Sequence, residues 1–385
     1  MNNPAFTFGG FAVPAGCTRI YITASLEPSN GDPRIQPTGF PDVGPVCYPD
    51  PNTDPVQTKG LICLIQSEPA MANLLEEVCL SDTYTGTLKG EFSTLPYIKV
   101  TADGQPNGEF KTSSTIDGHR FASEYLMKSK GAFGTDGHET ELVAHIIGEL
   151  GASTSGDHVP AANVPRIFEL AMELDPLSLI HGFQISIKKR LTFVGLRSPR
   201  ALTACVLGYR CQQRPVPGVR LDPINTGDAG QAIFQKERIV AGAIEAKFSI
   251  DVGLLAAMRL ASVDRLKSEP KEEPAEAEAE VGLLQNARYQ LLVALALWKV
   301  AAVLKEFQVE HSLRTECKLR LQGDDSVQYT CERGEPKNKF DFMSIITAQS
   351  LKAPKNGESQ KHALHDLVKA AKLPEDRSPL TLKLA

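Results

Sequence analysis

The 385-residue chain is 42% hydrophobic and 23% charged, an ordinary soluble composition, and it is long enough for one large domain or two to three smaller ones. Its net charge of −5 is a poor argument against a polyanion partner, because residues 268–280 hold six Glu against one Lys and the remaining body is neutral. The eight cysteines form no CxxC pair and have no His at finger spacing, which argues against zinc and for free thiols in a reducing cytoplasm.

In chain order, MNNPAFTFGG lacks a basic segment followed by an apolar run, so no signal peptide is expected. Residues 19–24 read as a short strand, and the Pro- and Gly-dense residues 28–55 as an extended, turn-rich loop. A second strand is expected over 60–65, then a helix over 70–80. Pro69 falls in the first turn of that helix, where a missing N–H costs nothing. Residues 97–100 read as a third strand. A helix is expected over 112–128, with Ser114 and Asp117 at capping-box spacing, and further helices over 139–150 and 164–174. Residues 183–187 alternate apolar and polar as a half-exposed strand does, and can pair with 191–194 as a hairpin. Ser198-Pro199 predicts an N-cap and a helix through Leu207.

One or two strands are expected over 233–250 and a helix over 251–267. Residues 267–280 are acidic and Pro-bearing and read as a mobile surface loop. Residues 281–307 carry the strongest helix signal. Arg288, Lys299 and Lys305 interrupt their apolar run, so a buried core helix is expected rather than a membrane span. Strands near 316–321 and 326–330 and helices near 340–350 and 361–372 complete the chain. Irregular interleaving of strands and helices favours an α+β fold with large insertions over a regular parallel α/β fold. The sequence has no GxGxxG after a strand and no GxxxxGK[ST], which argues against nucleotide-dependent enzymes of those two kinds.

Residues 176–221 contain no carboxylate and eight cations: Lys188, Lys189, Arg190, Arg197, Arg200, Arg210, Arg214 and Arg220. Such a stretch suits a polyanion, of which nucleic acid is the commonest, or else balances acidic surface elsewhere. Three other polar clusters accompany it. Arg34 and Gln36 stand in a rigid Pro/Gly segment that either offers donors to phosphate or packs for shape. Gln66, Ser67 and Asn73 leave a strand and enter a helix, where free N–H groups suit a phosphate and Ser67 suits ordinary capping. Ser113, Ser114, His119 and Arg120 read first as a compact anion-binding group and second as ordinary helix capping; hydrolysis by Ser114 and His119 lacks a GxSxG elbow. His181, before Gly182, can stack on a base or satisfy a local backbone group. For a metal nuclease, Asp42, Asp324 and Asp325 are the available carboxylates, and nothing in the sequence places them together.

RIQPTGFPDVGPVCYP (34–49), QSEPAMANLLE (66–76), TSSTIDGHRFASEYL (112–126), LDPLSLIHG (174–182), LRSPRAL (196–202) and LRTECKL (313–319) follow one another in order. As a set they resemble the backbone subunit of a type I-G (formerly I-U) CRISPR interference complex, of the RAMP superfamily. Leu74 stands where the family commonly has an Arg after the Asn. Residues 267–280 and those beyond about 335 lie outside the resemblance.

The resemblance implies a modified RRM/ferredoxin-like palm over 1–335, with an inserted thumb; outside it, residues 336–385 read as a helical extension. It implies a non-catalytic cytoplasmic protein with no cofactor, no metal and no membrane. The implied partners are CRISPR RNA, target DNA, further copies of the chain and other subunits of the Cascade complex. Its guide contacts would go to backbone and shape, since every spacer differs. Carried onto this sequence, the RNA-binding residues are Arg34, Gln36, Gln66, Ser67, Asn73, Ser113, Ser114, His119, Arg120, His181, Lys188, Lys189, Arg190, Arg197, Arg200 and Arg314. Arg210, Arg214 and Arg220 could instead face a neighbouring subunit. A metal-dependent ribonuclease of the type III kind, and a scaffold without nucleic acid, remain as alternatives.

Overall fold

A computed structural model describes residues 4–40, 44–51, 60–133, 138–151, 161–185, 196–214, 238–262, 274–313, 315, 317–331, 338–348, 364–374 and 379–384. The chain is mixed α+β, built on a curled antiparallel sheet. Its neighbouring strands run Leu61–Gln66, Leu202–Arg214, Ala243–Ile250 and Ile20–Pro28. Lys318–Leu321 and Val327–Thr330 then pair with the two ends of Ile20–Pro28. Side-chain alternation explains why these segments are strands. Ile20, Ile22, Ala24 and Leu26 are buried beside Ile244, Ala246, Phe248 and Ile250, and beside Leu202, Ala204 and Val206. The intervening residues, Thr23 and Lys247 among them, lie half-buried on the opposite face, as a one-sided sheet requires. There Lys247 sits 4.9 Å from the centroid of the Tyr209 ring.

Two helices cover the apolar face. Glu68–Glu77 packs on Leu202–Arg214, Pro274–Val309 packs on Ala243–Ile250 and Lys318–Leu321, and the two helices touch each other. The long helix could cross a membrane by length and composition alone. However, 89% of its most apolar window is buried inside the protein, which makes it the expected core helix. Two of the three cations that interrupt it are also buried, and Lys305 is exposed: Lys299 donates to the Leu75 carbonyl at 2.9 Å, and Arg288 to those of Ala371 and Leu260.

A second sheet runs Phe110–Ser113, Ile98–Thr101, Leu380–Lys383, Lys130–Ala132 and Glu139–Glu141. Its Leu380–Lys383 strand lies parallel to Ile98–Thr101, so the C-terminal extension contributes a strand as well as the helices Phe342–Thr347 and Leu364–Ala370.

Several expectations change. The helix expected over 112–128 begins as the strand Phe110–Ser113, and only Glu124–Lys128 is α-helical. The hydroxyls there bond to backbone instead of opening a helix: Ser113 to the Thr85 carbonyl at 3.5 Å and Thr115 to that of Gly86 at 2.6 Å. Asp117 makes no capping box; it accepts from the His119 amide and the Ser123 hydroxyl. The helix expected from Ser198 to Leu207 is replaced by the longest strand, Leu202–Arg214, held by neighbours on both sides. The helix expected over 251–267 is the short Val252–Ala257. The long helix begins at Pro274, so residues 274–280 of the expected loop are helical, as alternating Ala and Glu favour; residues 263–273 lie outside the described residues. The Leu191–Val194 arm of the expected hairpin also lies outside them, and Phe183–Ile185 pairs instead with Leu196–Ser198. Cys47 and Cys63 face each other across adjacent strands and form a disulfide, against the expectation of free thiols throughout, whereas Cys17, Cys79, Cys205, Cys211, Cys317 and Cys331 are free.

Candidate nucleic-acid interface

Three of the sequence clusters meet in the interior rather than on the surface. Glu76, near the end of its helix, forms an ion pair with Arg120, whose side chain is only 12% exposed. Arg120 also donates from Nη1 to the Gly182 carbonyl at 2.9 Å. It adopts φ of 55°, a left-handed conformation that a side chain tolerates only when its surroundings hold it. Asp175 caps the helix Pro176–His181, accepting from the amides of Leu177 and Ser178 and, at 2.6 Å, from the Ser178 hydroxyl. Ser114 stands beside the same carboxylate and helps to lower its pKa, and it accepts from the Ile98 amide at 3.1 Å. Burial pushes the Asp175 carboxyl up in pKa, against the lowering pull of these bonds and of Arg120. Lys299 completes the group from the long helix. The network thus joins the 66–76, 112–126 and 174–182 motifs to one another.

His181 lies at its centre and is 1% exposed. Burial, then the charges of Lys299, Arg120 and Arg200, hold its pKa well below the usual histidine value. The ring is therefore neutral when folded, whereas an unfolded His takes a proton below about pH 6.5. Stability should fall as pH drops through that value, by up to about 1.4 kcal/mol per pH unit for one proton. Thermal melting of wild type and His181→Asn between pH 7.5 and 5.5 checks this, and the variant is expected to show the shallower pH dependence.

Gly182 is the joint between this network and the cationic stretch. It has φ of 75° and ψ of 158°, a glycine-specific region, and a Cβ there would stand 2.6 Å from the Ser198 carbonyl oxygen and 2.9 Å from the Arg200 nitrogen. Gly182→Ala is expected to lose about 1–3 kcal/mol from backbone strain, with the steric clash in addition. Urea unfolding would read this as a lowered midpoint. Beyond the joint, Gln184 pairs with Arg197, and Arg197 and Arg200 are exposed. Neither Arg makes an ion pair among the described residues.

The sixteen expected contact residues therefore divide. Gln66, Ser113, Ser114 and His181 are buried, Arg120 is mostly so, and Ser67 is half-buried at its N-cap without a side-chain capping bond. Exposed are Arg34, Gln36, Asn73, His119, Arg197 and Arg200. Arg34 is paired with Asp32, and the Gln36 amide lies 3.2 Å from the Cys317 sulfur, which brings the first cluster to the 313–319 motif. Lys188, Lys189, Arg190 and Arg314 lie outside the described residues.

Sequence reasoning did not select Glu76, Asp175, Ser178 or Lys299. Asp175 was the most legible of these, since Asp before Pro is an N-cap signal. Among the described residues no three His, Cys, Asp or Glu side chains come together as a metal site.

The geometry describes a mixed α+β protein with a cationic hairpin base braced from within by a buried polar network. Residues 20–213 match the family model described as CRISPR-associated protein GSU0053, and the chain belongs to that CRISPR-associated family. No curated protein matches the chain at a significant level.

Proposed function

We propose that this chain is a non-catalytic, CRISPR-RNA-binding backbone subunit of a type I-G Cascade complex, polymerising along the guide and presenting the spacer for pairing with target DNA. The observation that carries the reading is the strand order of the main sheet. Leaving aside the additional strand Leu61–Gln66 beside Leu202–Arg214, and taken in chain order, Ile20–Pro28, Leu202–Arg214, Ala243–Ile250 and the 318–330 strands are arranged four-one-three-two with antiparallel neighbours, and both helices lie on one face. That order supports reading the sheet as an RRM/ferredoxin-like palm, here in a chain of a CRISPR-associated family.

On this reading the exposed Arg197, Arg200, His119, Asn73, Gln36 and Arg34 contact the RNA, and the buried motif residues hold the contacting segments in place. Lys188, Lys189, Arg190 and Arg314, which lie outside the described residues, are proposed as further RNA contacts on their charge. Contacts to phosphate leave sequence reading to base pairing.

RNA binding measured across salt concentrations tests the electrostatic part. With about four to six phosphates contacted per subunit, log K against log salt is expected to slope by roughly −3 to −4; a flat response contradicts it. Incubating the assembled complex with complementary RNA and Mg²⁺ tests the absence of catalysis. Intact RNA is expected, and periodic cleavage would establish a metal-dependent ribonuclease instead.

A further inference from the structure

The buried network leaves one group unsatisfied. Both ring nitrogens of His181 are buried and lack a hydrogen-bond partner among the described residues. Its Nδ1 stands 3.6 Å from Glu76 Oε1, too far for a direct hydrogen bond. A neutral imidazole buried in this way would forfeit both its donor and its acceptor, which native proteins rarely tolerate. Beside it lies a cavity of about 20 Å³, lined by His181, Glu76, Arg120, Asp175, Ser178 and Lys299 among others.

Size decides what the cavity can take. About 10–15 Å³ on this measure admits one water molecule, so the space suits one water and is too small for a phosphate or a nucleotide. Most of the lining residues carry polar side chains, although the surface they show to the cavity is mainly carbon, and a buried water needs two to four polar partners. We propose that the cavity is a built hydration site holding one ordered water, which accepts from His181 Nδ1–H and donates to the Glu76 carboxylate. Arg120 already binds Glu76, so the water ties His181 into the bracket that fixes the Gly182 carbonyl. The site is independent of RNA binding and stands or falls separately from it.

A crystal structure of the full chain at about 1.8 Å tests the proposal. It is expected to show one solvent peak within about 2.7–3.2 Å of both His181 Nδ1 and Glu76 Oε1. An empty cavity, or a direct His181–Glu76 hydrogen bond that closes it, would overturn the proposal. Nitrogen-15 spectra of the wild-type chain labelled at histidine give a second reading. A neutral His181 protonated at Nδ1 is expected, and the Nε2–H tautomer contradicts the assigned bond.

Discussion

Replacing Arg197 and Arg200 together by Glu is expected to weaken guide-RNA binding by at least ten- to a hundredfold at physiological salt, without changing the melting temperature. Both side chains are exposed at the base of the cationic hairpin and make no ion pair among the described residues, so removing them breaks nothing internal. An arginine contributes a charge that phosphate needs and a fork that matches its oxygens, and a carboxylate at the same place repels it. If each Arg holds one phosphate, the salt slope should also shrink by roughly 1.4, at about 0.7 per single-strand phosphate. Fluorescence anisotropy with a labelled CRISPR RNA reads both quantities. Unchanged binding would place the RNA elsewhere, and a collapsed thermal transition would make the two residues structural.

Arg120→Ala is expected to act in the opposite way, costing about 3–5 kcal/mol of folding stability. The change leaves the partly buried Glu76 carboxylate without its cation and the Gly182 carbonyl without its donor. Breaking one side of a buried pair costs more than the pair itself is worth, because the remaining charge stays desolvated. Arg120→Gly keeps the left-handed backbone unstrained while making the same deletion, so the difference between the two variants isolates the strain at φ of 55°. Chemical denaturation measures both. A loss below about 1 kcal/mol for Arg120→Ala would show that the ion pair is solvated and return Arg120 to the set of direct RNA contacts.

The contrast between these two variants shows what sequence could and could not reveal. The strand Ile20–Pro28 and the long helix were legible because burial follows a period of two in one and a long, mostly apolar run marks the other. Leu202–Arg214 was not, because Ser198-Pro199 is a genuine local helix signal that pairing with Leu61–Gln66 and Ala243–Ile250 overrides. The carboxylate-free stretch was visible in composition, as was the order of the motifs.

What composition could not show is that Ser113, Ser114 and His181 turn inward. Hydroxyls and an imidazole serve a phosphate or a buried carboxylate equally well, and only the fold places Asp175 and Glu76 beside them. The strand Leu380–Lys383 was equally hidden, since its partner Ile98–Thr101 is nearly three hundred residues away. Lys299 could be read only as an interruption in an apolar helix. Its partner, the Leu75 carbonyl, comes from a different element 224 residues earlier.

Electron microscopy of the full chain purified with a CRISPR RNA tests the central claim most directly. The proposed function requires copies of the chain arrayed helically along a single RNA. Monomers free of nucleic acid, at concentrations where the RNA is in excess, would contradict it.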